Sequence, residues 1–217
     1  IRYLIIFSFI LTMGITSSIN AQDAESVSDG RLGIEEIIVT GTKRDISQQD
    51  VPIAVSTITE QQLENTFRND VFALGQLAPN VTLTPQNGFN AIAGGMRGTG
   101  FISILVTKDP SVGIVVDDFA FNHVQAQAIE MFDMEQVEIY RGPQGTLFGK
   151  NTTGGAIAFT TKKPVLGETT FDVEATYGQY ASNDASIEKI NAAVNFPIGD
   201  TLAVRISVIQ DEEEGYW

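Results

Sequence analysis

The chain has 217 residues, and its 13 Lys and Arg against 27 Asp and Glu give a formal net charge of −14. This acidic balance excludes nucleic acid as a partner, because binding requires basic side chains that replace phosphate counterions. The absence of cysteine excludes a disulfide scaffold, so the fold must depend on packing or on membrane burial.

Residues 1–21 have the pattern of a secretory signal peptide. Arg2 precedes an apolar run over residues 3–15, and small and polar residues follow up to a cleavage site after Ala21. The run is shorter than the about 20 apolar residues that a membrane-spanning helix needs. Since residue 1 is Ile and not Met, we expect the sequence to be a piece of a longer exported protein.

Residues 22–49 are interpreted as a mobile tether that carries one short strand. Residues 22–33 are acidic and small with no apolar period, as in mobile linkers. The segment IEEIIVTGTKR (34–44) is rich in β-branched residues, and no hydrophobic partner segment lies close by in the sequence. A lone strand near a terminus can add to the sheet edge of another protein, although an ordinary edge strand of the next domain has the same local pattern.

Residues 50–164 mix short helices and strands, which predicts a small α+β domain with glycine-rich loops. Thr59 and Gln62 have the spacing of a capping box, so a helix should begin there, and a second helix is predicted over 71–78, before Pro79. The predicted strands are Val81 to Thr84, Ala91 to Met96, Gly113 to Asp117, Gln136 to Arg141 and Ala156 to Thr161.

The stretch YRGPQGTLFGKNTTGGAIAFTTKKP (140–164) has the glycines and lysine of a phosphate-binding loop but not its spacing. Gly145 leaves only three residues before Gly149 and Lys150, and Asn151 stands where the motif requires Ser or Thr. Its glycines permit tight turns and its short hydroxyl side chains can satisfy backbone groups, as in a loop-rich α+β core.

The remaining candidate residues predict neither an enzyme nor a metal site, and no cofactor. His123 is the single histidine, and without cysteine it cannot complete a transition-metal site. Asp117 and Asp118 are adjacent, so on a strand they would point to opposite faces and could not act as a carboxylate pair.

Residues 165–217 contain three segments in which apolar and polar residues alternate. The apolar positions are Phe171, Val173, Ala175, Tyr177, Ile190, Ala192, Val194, Phe196, Leu202, Val204, Ile206 and Val208. Strands of about 9–11 residues with one apolar face are typical of membrane β-barrels, although a soluble sandwich has the same alternation. The short turn at 197–200 and the longer polar connection at 178–186 fit the two ends of a barrel, and we expect residues 211–217 to lie in an outer loop.

Together these segments resemble the TonB-dependent outer-membrane receptors. EEIIVTGTKR is similar to the family's TonB box, and DPSVGIVVDDF with EMFDMEQVEIYRGPQGTLFGKNTTGGAIAFTTKKP is similar to its plug domain. The resemblance implies an α+β plug domain followed by the first strands of a transmembrane antiparallel β-barrel, which has about 22 strands when complete. One departure is Asp118, which replaces the family's usual glycine at a turn and should tolerate a positive φ there.

The resemblance also implies which residues make the essential contacts. The residues expected to bind TonB, within a box over 34–41, are Glu35, Glu36, Ile37, Ile38, Val39 and Thr40. The residues expected to contact the barrel are Arg97, Arg141, Gly142, Gly145, Gly149, Gly154 and Gly155. The arginines would pair with carboxylates of the inner barrel wall, while the glycines would permit tight turns and close approaches.

The function implied is active import of a scarce ligand across the bacterial outer membrane, with the plug and the TonB box facing the periplasm. The expected partners are TonB with its inner-membrane proton-driven motor, the outer-membrane bilayer and a small-molecule ligand such as a metal chelate. Ferric siderophores lead as the family's commonest cargo, with cobalamin, haem and oligosaccharides behind. The alternatives are an exported soluble binding module without transport and an exported enzyme, which the lack of a catalytic constellation disfavours.

Overall fold

The structure is a computed structural model that describes residues 37–40, 46–66, 70–85, 91–101, 109–180 and 185–214. The predicted signal peptide lies outside the described residues, as do Glu35 and Glu36 of the predicted TonB box. Within these ranges, no helix has the length and apolar character required to cross a membrane. All described residues belong to one unit, Glu36–Trp217.

Most of the described chain is β-structure, with short helices between the strands. The strands are β1 (Ile38–Val39), β2 (Ile46–Ser47), β3 (Val55–Thr59), β4 (Val81–Pro85), β5 (Ile92–Met96), β6 (Thr99–Phe101), β7 (Val112–Val116), β8 (Phe119–Phe121), β9 (Met134–Arg141), β10 (Gly155–Thr161), β11 (Thr170–Gln179), β12 (Ser186–Ile198) and β13 (Leu202–Glu213). The helices are α1 (Glu60–Glu64), α2 (Leu74–Leu77) and α3 (Gly145–Phe148), with 3₁₀ turns at Val71–Ala73 and Val124–Ala126.

The α+β domain is built on a five-stranded mixed sheet with the order β3-β9-β10-β7-β8. Strands β10 and β7 are parallel, whereas the other neighbouring pairs in this sheet are antiparallel. A small antiparallel sheet, β4-β5-β6, packs beside it. The predicted α+β fold class is therefore confirmed for this part of the chain.

Alternate residues of the central strand β9 point to opposite faces of the five-stranded sheet. Val137 and Ile139 are fully buried in the main core, together with side chains from α1, α2 and the small sheet. Tyr140 lies on the other face, where it packs in a second cluster with Val39 and Ala158. Both faces of the sheet are covered at this point, so β9 has no solvent-facing side over residues 137–140.

The two predicted helices begin where the capping signals placed them. The backbone N–H of Thr59 donates to the Gln62 side chain at 3.1 Å, which is the capping-box contact. The second helix starts as a 3₁₀ turn, where the Asp70 carboxylate accepts the Ala73 N–H at 3.2 Å, and it continues into α2.

The turn between β7 and β8 corrects the prediction that Asp117 lies on a strand. Strand β7 ends at Val116, and Asp117 and Asp118 form the turn with φ of 45° and 68°. Asp118 therefore takes the positive φ expected of it. The Asp117 carboxylate accepts the Thr161 backbone N–H at 3.0 Å and the Thr161 hydroxyl at 2.7 Å, which ties the turn to β10.

The last three strands form a separate antiparallel sheet, β11-β12-β13, which we call the C-terminal sheet. Its register places apolar side chains opposite one another on one face, as in the pairs Phe171 with Val194 and Val194 with Ile206. The exposed apolar residues of this sheet are Phe171, Val173, Tyr177, Ile190, Phe196, Ile198, Leu202, Val204, Ile206, Val208 and Ile209. The other face is polar and contacts the α+β domain.

Strand β13 is longer than the alternation in the sequence predicts. It continues through Asp211 to Glu213, so the expectation that this acidic end lies in a loop is wrong for these residues. The reason is pairing with β12, where Lys189 binds the Asp211 carboxylate at 2.6 Å across the strands.

Candidate functional site

The predicted TonB box is docked on the α+β domain over its described part, residues 37–40. Strand β1 pairs antiparallel with β2, and the Gln48 backbone N–H donates to the Ile37 carbonyl at 2.9 Å. The expectation of a strand without a nearby partner is therefore wrong, because two residues of β2 suffice to form a short ladder. The Val39 side chain is fully buried in the second cluster, whereas Ile38 is 49% exposed.

A buried carboxylate binds the end of this strand. The Thr40 backbone N–H donates to Glu138 Oε1 at 2.6 Å, and the side chain of Glu138 is completely buried. Gln136 Nε2 donates to the same oxygen at 3.1 Å and to Thr40 Oγ1 at 3.0 Å. The Tyr140 hydroxyl donates to Glu138 Oε2 at 2.9 Å. Burial and the neighbouring carboxylate raise the pKa of Tyr140, so this hydroxyl stays protonated and remains a donor.

Sequence reasoning missed Glu138 altogether. The signal was an acidic residue between Val137 and Ile139 in a strand that otherwise reads as core. A charge at such a position requires hydrogen-bond donors on the same face of the sheet, because burying an unpaired carboxylate is costly.

The two predicted arginines lie close together at one edge of the domain. Arg97 occupies the turn between β5 and β6 with φ of 52° and is exposed, and its Nη1 would be 3.6 Å from a Cβ at Gly142. Arg141 donates to the Pro79 carbonyl at 3.2 Å and to the Ser56 hydroxyl at 2.8 Å. Burial and the charge of Arg97 lower the pKa of Arg141. Two neighbouring cations with neutral acceptors are a favourable target for carboxylates, and their pairing with a barrel wall stays a prediction.

The predicted glycines serve different purposes. Gly142 and Gly149 take positive φ, and Gly154 would bring a Cβ to 2.9 Å from the Thr99 hydroxyl. A Cβ at Gly155 would overlap the Met96 sulfur and the Tyr140 carbonyl oxygen, so β9 and β10 can approach only without a side chain there. Gly145 begins α3 with open space around it among the described residues, so no turn requires glycine there, and its contact with the barrel stays a prediction.

The contacts between the α+β domain and the C-terminal sheet are made by other residues. Arg205 of β13 binds Asp133 through Nη2 at 2.5 Å and Nε at 2.9 Å, and their side chains are only 8% and 7% exposed. Arg205 also reaches Asp172 of β11 at 2.9 Å, and the Ser207 hydroxyl donates to Asp133. Burial opposes the charge of Asp133, but the hydrogen bonds from Arg205 and Ser207 outweigh it and lower the pKa of this carboxyl.

A second ionic contact joins the same two parts. Lys189 of β12 lies 3.7 Å from the Glu130 carboxylate and 2.6 Å from that of Asp211. Burial raises the pKa of Glu130 despite the charge of Lys189. Lys189 and Arg205 lie on the polar face of strands in which apolar and polar residues alternate. A basic residue at such an inward position was the signal in the sequence that could have identified them.

The described residues contain no group of three or more side chains suited to hold a metal ion. His123 caps the 3₁₀ turn at Val124–Ala126, where its Nδ1 accepts the Gln125 N–H at 3.3 Å. The α+β domain therefore makes polar contacts with its own N-terminal strand on one side and with the amphipathic C-terminal sheet on the other.

A family model, the TonB-dependent Receptor Plug Domain, matches residues 47–156, which is more than half of the chain. The chain belongs to the TonB-dependent receptors. The match covers β2 through the start of β10, so the α+β domain is the plug, and the C-terminal sheet follows it as the first barrel strands do in receptors of this fold.

Similar proteins agree with this membership. An iron-regulated outer membrane virulence protein of Vibrio cholerae is 25% identical over 95% of this chain and 32% of its own length. The vitamin B12 transporter BtuB of Vibrio vulnificus is 25% identical over 66% of this chain and 23% of its own. The crystal structure of the ferric-catecholate import receptor Fiu from Escherichia coli K12 superposes with a TM-score of 0.61, at 25% identity, over 81% of this chain and 23% of that one. The chain thus spans less than a third of the length of these relatives.

Replacing Gly155 with alanine should destabilise the plug by about 1–3 kcal/mol, because the added methyl group forces β9 and β10 apart. Faster hydrogen exchange of the β9 and β10 amides would report the change. Gly145→Ala is the matched control, since its Cβ meets nothing within 4 Å and alanine favours the helix. Equal exchange in the two variants would contradict the close approach at Gly155.

Asp133→Asn should weaken the contact between the plug and the C-terminal sheet, because it leaves the buried Arg205 charge poorly paired. Breaking a buried pair costs about 3–5 kcal/mol, and we expect the lower end because Asp172 remains as a partner. Asparagine tolerates the φ of 61° at this position, so the substitution changes the charge and not the backbone. Asp172→Asn, at a side chain that is 52% exposed, should cost only about 0–1 kcal/mol.

The pH dependence of this contact has a definite sign. A carboxyl whose pKa is lowered on folding stabilises the protein above its unfolded value of 3.8 and loses that effect as the pH falls through the folded value. Hydrogen exchange of residues 130–134 should therefore differ between the wild type and Asp133→Asn at neutral pH. The difference should shrink below pH 3.8, and a constant difference across this range would exclude Asp133 as the titrating group.

Proposed function

We propose that this chain is part of a receptor that imports a small ligand across the bacterial outer membrane with energy supplied through TonB. The observation that carries the proposal is the plug domain match over residues 47–156, together with the sheet that follows it. That sheet presents its polar face to the plug and its apolar face outward, as a barrel wall between a plugged lumen and lipid must do.

The exposed apolar face of the C-terminal sheet disfavours the alternative of a soluble binding module. Ten large apolar side chains on this one face of β11, β12 and β13 are exposed, and soluble proteins rarely leave a contiguous patch of this kind open to water. The chain is located in the bacterial outer membrane, where its V. cholerae relative also lies, and its other relatives include a vitamin B12 transporter and a ferric-catecholate import receptor.

We propose a ferric siderophore as the ligand. The V. cholerae relative is iron-regulated, and the E. coli structure is that of a ferric-catecholate import receptor. Cobalamin is the second candidate, because the V. vulnificus relative is a vitamin B12 transporter. The test is to measure uptake of a radiolabelled ferric catecholate and, in parallel, of labelled cobalamin in cells that lack other receptors for them. Uptake of one and not the other identifies the ligand.

For energy transfer, we propose that TonB binds residues 35–40 by adding them as a strand to its own sheet. Ile38 supports this reading, because its side chain is half exposed and its backbone is already extended. Main-chain hydrogen bonds supply most of the affinity in this binding mode, so it depends on backbone donors more than on side chains.

Ile38→Pro should abolish ligand uptake, because proline removes a backbone donor from the added strand. The pairing of β1 with β2 should survive, since the Ile37 carbonyl, which accepts from Gln48, stays in place. Ile38→Ala, which keeps the donor, is the control and should transport normally. Full uptake by the proline variant would show that these residues are not the TonB-binding strand.

Replacing Arg97 and Arg141 together with alanine should loosen the plug in the barrel and increase the entry of a large antibiotic such as vancomycin. The two guanidinium groups repel each other, so carboxylates of the barrel wall would gain two charge-assisted hydrogen-bonded partners. Lys150→Ala removes an exposed cation of the same domain and should leave sensitivity unchanged. Wild-type resistance to vancomycin in the double variant would show that the two arginines do not hold the plug in the barrel.

A further inference from the structure

Both edges of the docked strand β1 are occupied. In an extended strand the backbone groups of alternate residues point to opposite edges. The Ile37 carbonyl accepts from Gln48 of the β2 side, so Val39 also faces β2, while Ile38 and Thr40 face the other edge. On that other edge, the Thr40 N–H donates to the Glu138 carboxylate at 2.6 Å.

The Glu138 carboxylate is held in position by its neighbours. Its side chain is fully buried, and the Tyr140 hydroxyl and the Gln136 amide fix its two oxygens from the strand that carries it. Gln136 also donates to the Thr40 hydroxyl, so two side chains of β9 form hydrogen bonds with one residue of the box. Val39 adds an apolar anchor in the second cluster, next to Tyr140.

We propose that Glu138 is a latch that competes with TonB for the Thr40 backbone N–H and keeps the box on the plug. This inference rests on the proposed function, since it assumes that TonB adds a strand to residues 35–40. A strand added at the edge of β1 opposite β2 needs the donor that Glu138 already holds. TonB therefore binds only the fraction of molecules in which this hydrogen bond is open, and its apparent affinity is lowered by that fraction.

The exposure of Val39 measures the latch without TonB. These 217 residues contain no cysteine, so Val39→Cys introduces a single thiol into this part of the protein. In the complete protein in detergent, with any cysteine elsewhere replaced by serine, this thiol should react slowly with a maleimide because residue 39 is buried. A thiol introduced by Ile38→Cys, at a half-exposed position, should react fast and gives the upper limit.

Glu138→Gln should raise the labelling rate at position 39 by about tenfold, because a neutral amide accepts the Thr40 N–H more weakly than a carboxylate does and forces the Tyr140 hydroxyl from donor to acceptor. Glu135→Gln, at an exposed position of the same strand, is the matched control and should leave the rate unchanged. Thr40→Pro removes the same hydrogen bond from the box side and leaves Glu138 and Tyr140 in place, so it should raise the rate similarly. Hydrogen exchange of the β10 amides tests whether the five-stranded sheet remains intact in each variant. If Glu138→Gln disrupts this sheet, the labelling rate of Thr40→Pro is used to test the latch.

An unchanged labelling rate in both Glu138→Gln and Thr40→Pro would overturn the latch. The periplasmic domain of TonB provides the second readout. With a functioning latch, Glu138→Gln should lower its Kd for the complete protein by a factor similar to the increase in labelling. If TonB binds the wild type and Glu138→Gln equally, the competition is refuted while the proposed function stands. If TonB binds neither protein although labelling increases, the assignment of the box fails and no competition for Thr40 exists.

Discussion

The five-stranded sheet has to bury both of its faces at once, and strand β9 is where this constraint is met. Val137 and Ile139 fill the main core on one face, while Glu138 and Tyr140 hold the N-terminal strand on the other. Asp133, just before the strand, binds the C-terminal sheet, and Arg141, at its end, lies beside Arg97. One strand therefore connects the predicted TonB box, the arginine pair and the C-terminal sheet, so a displacement of β9 would affect all three.

The contacts at the borders of the plug differ in kind from those inside it. The interior is apolar and closely packed, whereas the borders are joined by Glu138, Asp133 and Glu130. The pair of Arg205 and Asp133 is a buried ionic contact, and such contacts contribute little net stability, because desolvation offsets most of their attraction, but they tolerate few alternative geometries. Water can replace each of these hydrogen bonds when the border opens, which an apolar interface of the same area does not allow. Such borders suit a domain that must be positioned exactly and still be moved.

Much of the fold was predictable from the sequence because local signals agreed with it. Capping residues marked α1 and α2, glycine and β-branched runs marked β4, β5, β7, β9 and β10, and strict alternation marked the C-terminal sheet. Strand β3 was missed because Ser56 and Thr57 make a partly exposed edge strand look like a polar loop. The end of β13 was missed because its acidic residues gain their strand conformation from pairing with β12, which no local pattern reports.

The candidate site was predicted less completely, because its contacts join residues far apart in the chain. Thr40 and Glu138 are 98 residues apart, and Arg205 and Asp133 are 72 apart. Motif resemblance indicated residues 35–40 and the two arginines, but the carboxylates that hold the plug carry no motif of their own. These carboxylates could be identified only from the structure, in which the folded sheets place their partners next to them.

The order of the strands also constrains how the chain can fold. Neighbours in the C-terminal sheet are consecutive in sequence, so this sheet can form through hairpins as soon as its residues are available. The plug sheet instead needs β3 to pair with β9, and Arg141 reaches Ser56 across 85 residues. Contacts of such long range form slowly, because closing large loops costs entropy before it is compensated. An apolar sheet face that is exposed during that interval favours aggregation, so the late closure of the plug sheet makes the C-terminal sheet the most vulnerable part of the described chain.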